Sequence, residues 1–110
     1  MSIPPNSLAF LPTGLVIRAP DNYMLMTAPR SSTFKRYGLK LANSIGIVDS
    51  DYSGNEDELK LYVHNTRSET VRLNKGDRIA QGVFVRIAQI SFKEVDDMGD
   101  SRGGWGSTGV

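Results

Sequence analysis

The chain has 110 residues, with 13 Lys or Arg and 12 Asp or Glu, and a formal net charge of +1. This length gives room for one domain with a hydrophobic core, and the near-neutral charge argues against a protein that mainly coats nucleic acid. The absence of cysteine excludes disulfides, thiolate metal sites and a cysteine nucleophile. The chain contains neither an apolar run of membrane-spanning length nor a secretory signal, so we expect a cytoplasmic protein with no membrane partner.

Short apolar runs separated by proline, glycine and polar turns predict an all-β sandwich or barrel. The predicted strands, in chain order, cover residues 8–11, 15–19, 23–28, 39–42, 46–48, 59–65, 70–73 and 79–87, and apolar alternation resumes over 89–95. The run over 79–87 is almost continuously apolar, which predicts a strand covered on both faces.

One short helix is predicted over residues 30–37, with Ser31 or Ser32 as its N-cap and Gly38 as its C-terminal closing residue. After residue 95 the composition becomes acidic and then glycine-rich. We therefore predict a β domain over 1–95, followed over 96–110 by an acidic linker and a flexible glycine-rich arm.

Residues 46–54 form an apolar strand that ends in a turn carrying Asp49, Asp51 and Tyr52. A strand end can hold a catalytic base rigidly, although an exposed turn that favours Asp is the simpler interpretation. The acidic residues have EF-hand-like spacing, but Lys60 stands where calcium requires a glutamate, which excludes such a loop.

Three other stretches are candidates for ligand binding. Arg30 with the two serines after it can hold an anion, or can simply cap the helix. Gln81 lies on the strand over 79–87, where a buried amide would need a partner. The tail over 102–109 offers an arginine fork for phosphate, hydroxyl groups and a tryptophan face for a base, although a floppy tail is the simpler interpretation.

Residues 29–32, 43–54, 76–81 and 102–109 resemble, in this order, the second to fifth motifs of the trimeric dUTPases. The resemblance implies a jelly-roll-like distorted β-barrel and a homotrimer with shared active sites. It also implies hydrolysis of dUTP to dUMP and pyrophosphate, with Mg²⁺ bound mainly through the substrate phosphates. We expect the family's first motif, which precedes the region of residues 3–5, to be missing.

The resemblance also assigns roles to individual residues. Asp49 would activate the attacking water, and Gln81 would meet the water and the phosphates. Tyr52 would pack under the deoxyribose, and Trp105 would stack on uracil. The implied substrate-binding residues are Arg30, Ser31, Ser32, Asn43, Gly46, Val48, Tyr52, Arg102, Trp105, Ser107 and Thr108, and no residue is assigned to a metal.

Three alternatives stay open at this point. Without the first motif, the chain could be a non-catalytic dUTPase-like module that only binds nucleotide. A dCTP deaminase of the same fold would share the Arg-Ser-Ser stretch, but the run from Asp49 to Tyr52 looks more like the uridine enzymes. A nucleic-acid-binding module is least favoured because of the low net charge, so we expect no stable nucleic-acid partner.

Overall fold

The computed structural model describes residues 1–105. Within these residues, antiparallel strands are joined by turns and one short helix. The elements are β1 (Ser2–Ile3), β2 (Leu8–Pro12), β3 (Tyr23–Pro29), α1 (Thr33–Tyr37), β4 (Leu39–Leu41), β5 (Gly46–Val48), β6 (Lys60–Asn65), β7 (Val71–Arg72) and β8 (Ala80–Arg86). The all-β prediction is confirmed. No helix in this part of the chain is long and apolar enough to cross a membrane.

The strands form two three-stranded sheets, in the orders β2-β6-β4 and β5-β3-β8, and a two-stranded sheet of β1 and β7. In the first sheet Phe10 lies opposite Tyr62, and their rings stack with centroids 4.3 Å apart. In the second sheet Leu25 is paired with Val48 on one side and with Phe84 on the other. This second sheet joins the turn after β5 to the start of β8, and both regions hold predicted site residues.

The hydrophobic core lies among β1, β2, β4, β6 and β7. Its buried members are Ile3, Leu11, Leu39, Leu41, Val63, Val71, Leu73 and Ile79. Burial of each such aliphatic side chain stabilises the fold by about 1.5–3 kcal/mol. The core therefore fixes the strands that flank the candidate site.

Helix α1 begins three residues later than predicted, at Thr33. The Thr33 hydroxyl accepts a hydrogen bond from the Arg30 amide (2.9 Å) and donates one to the Ile79 carbonyl (2.7 Å). Ser32 occupies the N-cap position without a capping bond from its side chain, so capping by a serine hydroxyl is not observed there. Gly38 closes the helix with a φ of 66°, as predicted.

Two strand predictions need correction. The run over 15–19 forms no strand, because only isolated hydrogen bonds join it to its neighbour, for example from the Leu59 amide to the Leu15 carbonyl (2.7 Å). Strand β8 is present, but the prediction that both its faces are covered is wrong for the single chain. Val83 and Phe84 are 43% and 52% exposed. The described residues place no second layer over this apolar strand.

Residues 88–105 form no helix or strand, and their side chains are exposed. Phe92 is 93% exposed. Alternation of apolar residues over 89–95 thus gives no strand pairing within the described part of the single chain.

Candidate functional site

Five of the predicted site residues surround one cavity of about 790 Å³, which we call the turn cavity. They are Asn43, Gly46, Val48, Asp49 and Tyr52. The cavity lies between β5 with its following turn and the facing strand β6, whose residues from Lys60 to Tyr62 form the opposite wall. The structure therefore brings Asp49 and Tyr52 together with the β5 residues assigned to the uracil slot.

Strand β5 ends at Val48, and the chain then folds into a hydrogen-bonded turn. The Tyr52 amide donates to the Asp49 carbonyl (3.1 Å), and the Ser53 hydroxyl donates to the Ser50 carbonyl (2.9 Å). The Tyr52 hydroxyl donates to the Glu58 carbonyl (3.1 Å), which fixes the orientation of the ring. The Asp49 carboxylate is exposed at the rim of the cavity, where a water molecule can reach it.

Strand β5 is an edge strand, paired on one side with β3. Its other edge carries backbone N–H and C=O groups that no described strand occupies, and an edge of this kind can pair with an added ligand. On the paired side, Gly46 allows β5 to pack closely against β3, because a Cβ at position 46 would clash with the Thr27 hydroxyl. The β5 side of the turn cavity thus has backbone N–H and C=O groups that no described strand pairs.

Arg30 and Gln81 line a second cavity of about 660 Å³, which we call the arginine cavity. The pairing of β3 with β8 puts Pro29 opposite Ala80 and brings the two site residues close to each other. The Gln81 amide donates to the Pro29 carbonyl (3.1 Å), and the Arg30 guanidinium donates to the Arg78 carbonyl (3.3 Å). Gln81 is exposed rather than buried, so its amide is available to a ligand.

The two cavities divide the predicted site. Asp49 and Tyr52 face one cavity, whereas Arg30 and Gln81 face the other, and Leu61 borders both. Ser31 and Ser32 lie in the turn before α1 and border neither cavity. The described part of a single chain therefore does not bring the residues predicted to bind the base and those predicted to bind phosphate into one pocket.

The arm contributes nothing to either cavity as far as it is described. Arg102 and Trp105 are exposed and line neither of them. Ser107 and Thr108 lie outside the described residues.

Within residues 1–105 no group of three or more His, Asp or Glu side chains is arranged to hold a metal ion. Asp49 and Asp51 share the turn cavity with Glu56 and Glu58, but these carboxylates do not form such a cluster. The described side chains therefore do not fit a magnesium site built by the protein alone.

Sequence reasoning missed one contact at the site. The Arg18 guanidinium donates to the Ser53 hydroxyl (2.9 Å) across a separation of 35 residues. No local sequence pattern links Arg18 to Ser53, because the two residues come into contact only when the chain is folded. Tertiary structure thus brings Arg18 into contact with the turn that carries Asp49 and Tyr52.

Comparison with known proteins identifies the family. The family model described as dUTPase matches residues 1–109. A curated relative from Thermobifida fusca, deoxyuridine 5'-triphosphate nucleotidohydrolase, is 43% identical over 109 residues. That match covers 96% of this chain and 59% of the relative, so the chain spans less than two thirds of that relative's length.

Solved structures give the same answer. The dUTPase from Streptococcus mutans is 32% identical and superposes with a TM-score of 0.78 over 84% of this chain and 74% of its own. A mutant dUTPase from phage phi11 of S. aureus, whose structure reveals the coordination of a structural Mg(II) ion, gives 0.79 at 20% identity, covering 91% of this chain and 79% of its own. The second match bears on the fold alone. The likeness confirms the predicted jelly-roll-like fold, and the chain belongs to the dUTPase family.

Proposed function

We propose that the protein hydrolyses dUTP to dUMP and pyrophosphate. The observation that carries this proposal is the turn cavity, where an edge strand, a fixed tyrosine ring and an exposed aspartate meet. Family membership and the activity named for the T. fusca relative support it. Neither a purely nucleotide-binding module nor a dCTP deaminase is favoured by any of these observations.

The free edge of β5 would recognise uracil. Uracil presents two carbonyl acceptors on either side of one N–H donor, and backbone groups along an extended strand can match such a pattern. The Asn43 side chain borders the same cavity and adds an amide. Gly46 and Val48 would contribute backbone groups to this slot.

Tyr52 would select the sugar. Its ring borders the cavity while its hydroxyl is held by the Glu58 carbonyl at 3.1 Å. With its hydroxyl held in this way, the ring would present an apolar face on which a deoxyribose packs and which a 2′-hydroxyl would meet. This excludes ribonucleotides by shape.

Asp49 would orient and activate the attacking water. Phosphoryl chemistry needs little covalent help from a protein; it needs an in-line nucleophile, charge neutralisation and exclusion of bulk water. Gln81 would hold the water and a phosphate oxygen. Magnesium would enter with the substrate, as the Mg²⁺ complex of dUTP, and would neutralise phosphate charge.

The triphosphate would be bound by residues outside the turn cavity. Arg30 supplies a guanidinium, which matches phosphate oxygens in a bidentate manner, and Ser31 and Ser32 supply hydroxyls. The arm would close over the substrate, with Arg102, Ser107 and Thr108 at the γ-phosphate and Trp105 on the uracil face. Closure of a glycine-rich arm excludes water from the reaction.

A homotrimer with shared active sites forms part of the proposal. The separation of the two cavities supports it, because residues assigned to one nucleotide face different pockets of one chain. The half-exposed Val83 and Phe84 of β8 give the single chain an apolar strand that subunit contacts would cover. A cytoplasmic location, expected from the sequence, completes the proposal.

The test is release of pyrophosphate from dUTP, measured with and without Mg²⁺, with dTTP, dCTP and UTP as controls. Asp49→Asn keeps the shape of the side chain but removes the base, so kcat should fall by about 10²–10⁴-fold. A non-hydrolysable dUTP analogue should still bind this variant. Asp21→Asn is the matched control, because Asp21 is exposed and borders neither cavity, and it should retain activity. Unchanged kcat in Asp49→Asn would refute the catalytic role, and ammonia release from dCTP would indicate a deaminase instead.

A further inference from the structure

We propose that Arg18 is a positioning residue that sets sugar selectivity by holding the turn that carries Asp49 and Tyr52. It contacts the turn at Ser53, which does not line the turn cavity. This inference rests on the proposed hydrolysis of dUTP, and it adds to that proposal a residue outside the four stretches that resemble family motifs.

The guanidinium of Arg18 donates two hydrogen bonds to Ser53. Its Nε donates to the Ser53 hydroxyl at 2.9 Å, and its Nη2 donates to the Ser53 carbonyl at 3.4 Å. The same hydroxyl donates to the Ser50 carbonyl at 2.9 Å. A chain of hydrogen bonds therefore runs from Arg18 through Ser53 to the middle of the turn.

Arg18 does not touch the ligand space. Asp49, Asp51 and Tyr52 border the turn cavity, whereas Arg18 and Ser53 do not. Tyr52 immediately precedes Ser53, and its backbone amide donates a hydrogen bond to the Asp49 carbonyl. Any shift of Ser53 thus moves the tyrosine ring and the aspartate together.

Charge gives Arg18 a second role at this position. Residues 49–58 contain five acidic side chains and no Lys or Arg. Like charges so close together favour an open, extended loop, and a triphosphate adds further negative charge. A cation hydrogen-bonded to Ser53 offsets this repulsion where the acidic segment must stay folded.

The segment over 13–18 also holds the far end of the acidic loop. The Gly14 amide donates to the Glu58 carboxylate at 3.3 Å, and the Leu59 amide donates to the Leu15 carbonyl at 2.7 Å. The Tyr52 hydroxyl bonds to the same end of the loop, at the Glu58 carbonyl. This segment, which includes most of the run over 15–19 that was predicted as a strand, therefore runs along the loop and contacts both of its ends, with Arg18 as its contact at the turn.

The test measures kcat/KM for dUTP and for UTP in the same preparation of Arg18→Ala. Their ratio reports the selectivity of the site and does not depend on the fraction of folded enzyme. A small misplacement of Tyr52 admits the 2′-hydroxyl, so the ratio should fall by about tenfold or more. Arg18→Lys keeps the charge but lacks the fork, and its ratio should lie between those of the wild type and Arg18→Ala.

Ser53→Ala is the second variant, since it removes the hydroxyl that accepts the Arg18 hydrogen bond without changing any charge. It should lower the same ratio, and the double variant Arg18→Ala/Ser53→Ala should fall little further, because both changes break one chain of hydrogen bonds. Arg72→Ala is the matched control, because Arg72 is exposed on β7 and borders neither cavity. Its ratio should equal that of the wild type.

A ratio in Arg18→Ala within about twofold of the wild type overturns the inference, as do additive effects in the double variant. If the wild-type chain does not hydrolyse dUTP, the proposed function fails. The positioning role is then decided by calorimetry with non-hydrolysable dUTP and UTP analogues, where Arg18→Ala should lose the same selectivity. A wild-type chain that binds neither analogue overturns both proposals.

Discussion

At the scale of single residues, Asn65 joins parts of the chain that are far apart in sequence. It is fully buried at the end of β6. Its amide nitrogen lies 2.8–3.0 Å from the carbonyls of Ile3, Pro4 and Glu69, and its oxygen accepts the Arg67 amide at 2.9 Å. The contact with the Ile3 carbonyl is buried and the other three are partly buried, so one side chain serves backbone groups from two separate parts of the chain.

Asn65→Asp should therefore destabilise the protein strongly. Aspartate keeps the shape and the acceptor, but it removes the N–H donors and aims a carboxylate at carbonyl oxygens. Each buried group left without a partner costs about 1–3 kcal/mol, so the free energy of unfolding should fall by about 2–4 kcal/mol. Urea denaturation measures this change. Asn6→Asp, in the exposed turn before β2, is the matched control and should leave the midpoint unchanged; equal midpoints for both variants would contradict the role of Asn65.

The sequence could indicate candidate site residues only where neighbouring residues in the chain form the local pattern. The pattern of a strand that ends in a turn singled out Asp49 and Tyr52, whereas Gly46 was named only through the family resemblance. Arg18 was not predictable, because its partner lies 35 residues away. Nor did the sequence alone indicate that Arg30 and Gln81 face a different cavity from Asp49.

At the scale of elements, the end of α1 depends on a glycine in a crowded position. Gly38 has a φ of +66°, and a Cβ there would clash with the side chain of Arg67. Arg67 donates hydrogen bonds to the Lys35 and Arg36 carbonyls at the last turn of the helix (3.1 and 3.2 Å). The glycine thus allows Arg67 to cap the helix end.

Gly38→Ala should cost more stability than the same change at Gly76. Both glycines have positive φ, which costs an alanine about 1–2 kcal/mol. A Cβ added at Gly76, however, would have no heavy atom within 4 Å, whereas one added at Gly38 would meet the Arg67 side chain. The difference between the two melting temperatures, measured by calorimetry, isolates the clash. Equal losses would mean that Arg67 moves aside without cost.

The elements that the sequence mispredicted have physical explanations. Apolar residues over 79–87 indicated burial, and the strand is present, but apolar content does not tell whether the covering surface belongs to the same chain. The run over 15–19 has strand-like residues, yet it lacks a partner along its whole length and instead braces a loop. Helix α1 starts at Thr33 because a threonine bonded to both Arg30 and Ile79 sets the first turn.

At the scale of the whole molecule, the divided site gives a direct test of subunit sharing. Asp49→Asn and Arg30→Ala should each inactivate the protein when present in every subunit. If one nucleotide contacts Asp49 of one subunit and Arg30 of another, mixed trimers contain some sites with both residues intact. Equal mixing should then restore about a quarter of wild-type activity, by random assortment in a symmetric oligomer.

The measurement requires co-expression, or unfolding and refolding of the two variants together. The control mixes Asp49→Asn with Asp49→Asn/Arg30→Ala, where no site can be complete and activity should stay absent. Light scattering of the wild type and of the mixture gives the number of subunits. No recovery from a mixture that has formed trimers would show that each site takes both residues from one chain.

The pairing of β1 with β7 has a consequence for biosynthesis. Ser2 lies opposite Arg72, and the fully buried Ile3 lies opposite Val71. The ribosome makes Ile3 well before Val71, because 68 positions separate the two residues in the sequence. Closing so long a loop is slow compared with forming local structure, so the earlier strands cannot complete this core before Val71 has been made. We expect the domain to fold as one unit after its last strands leave the ribosome, with the early apolar segments exposed to chaperones until then.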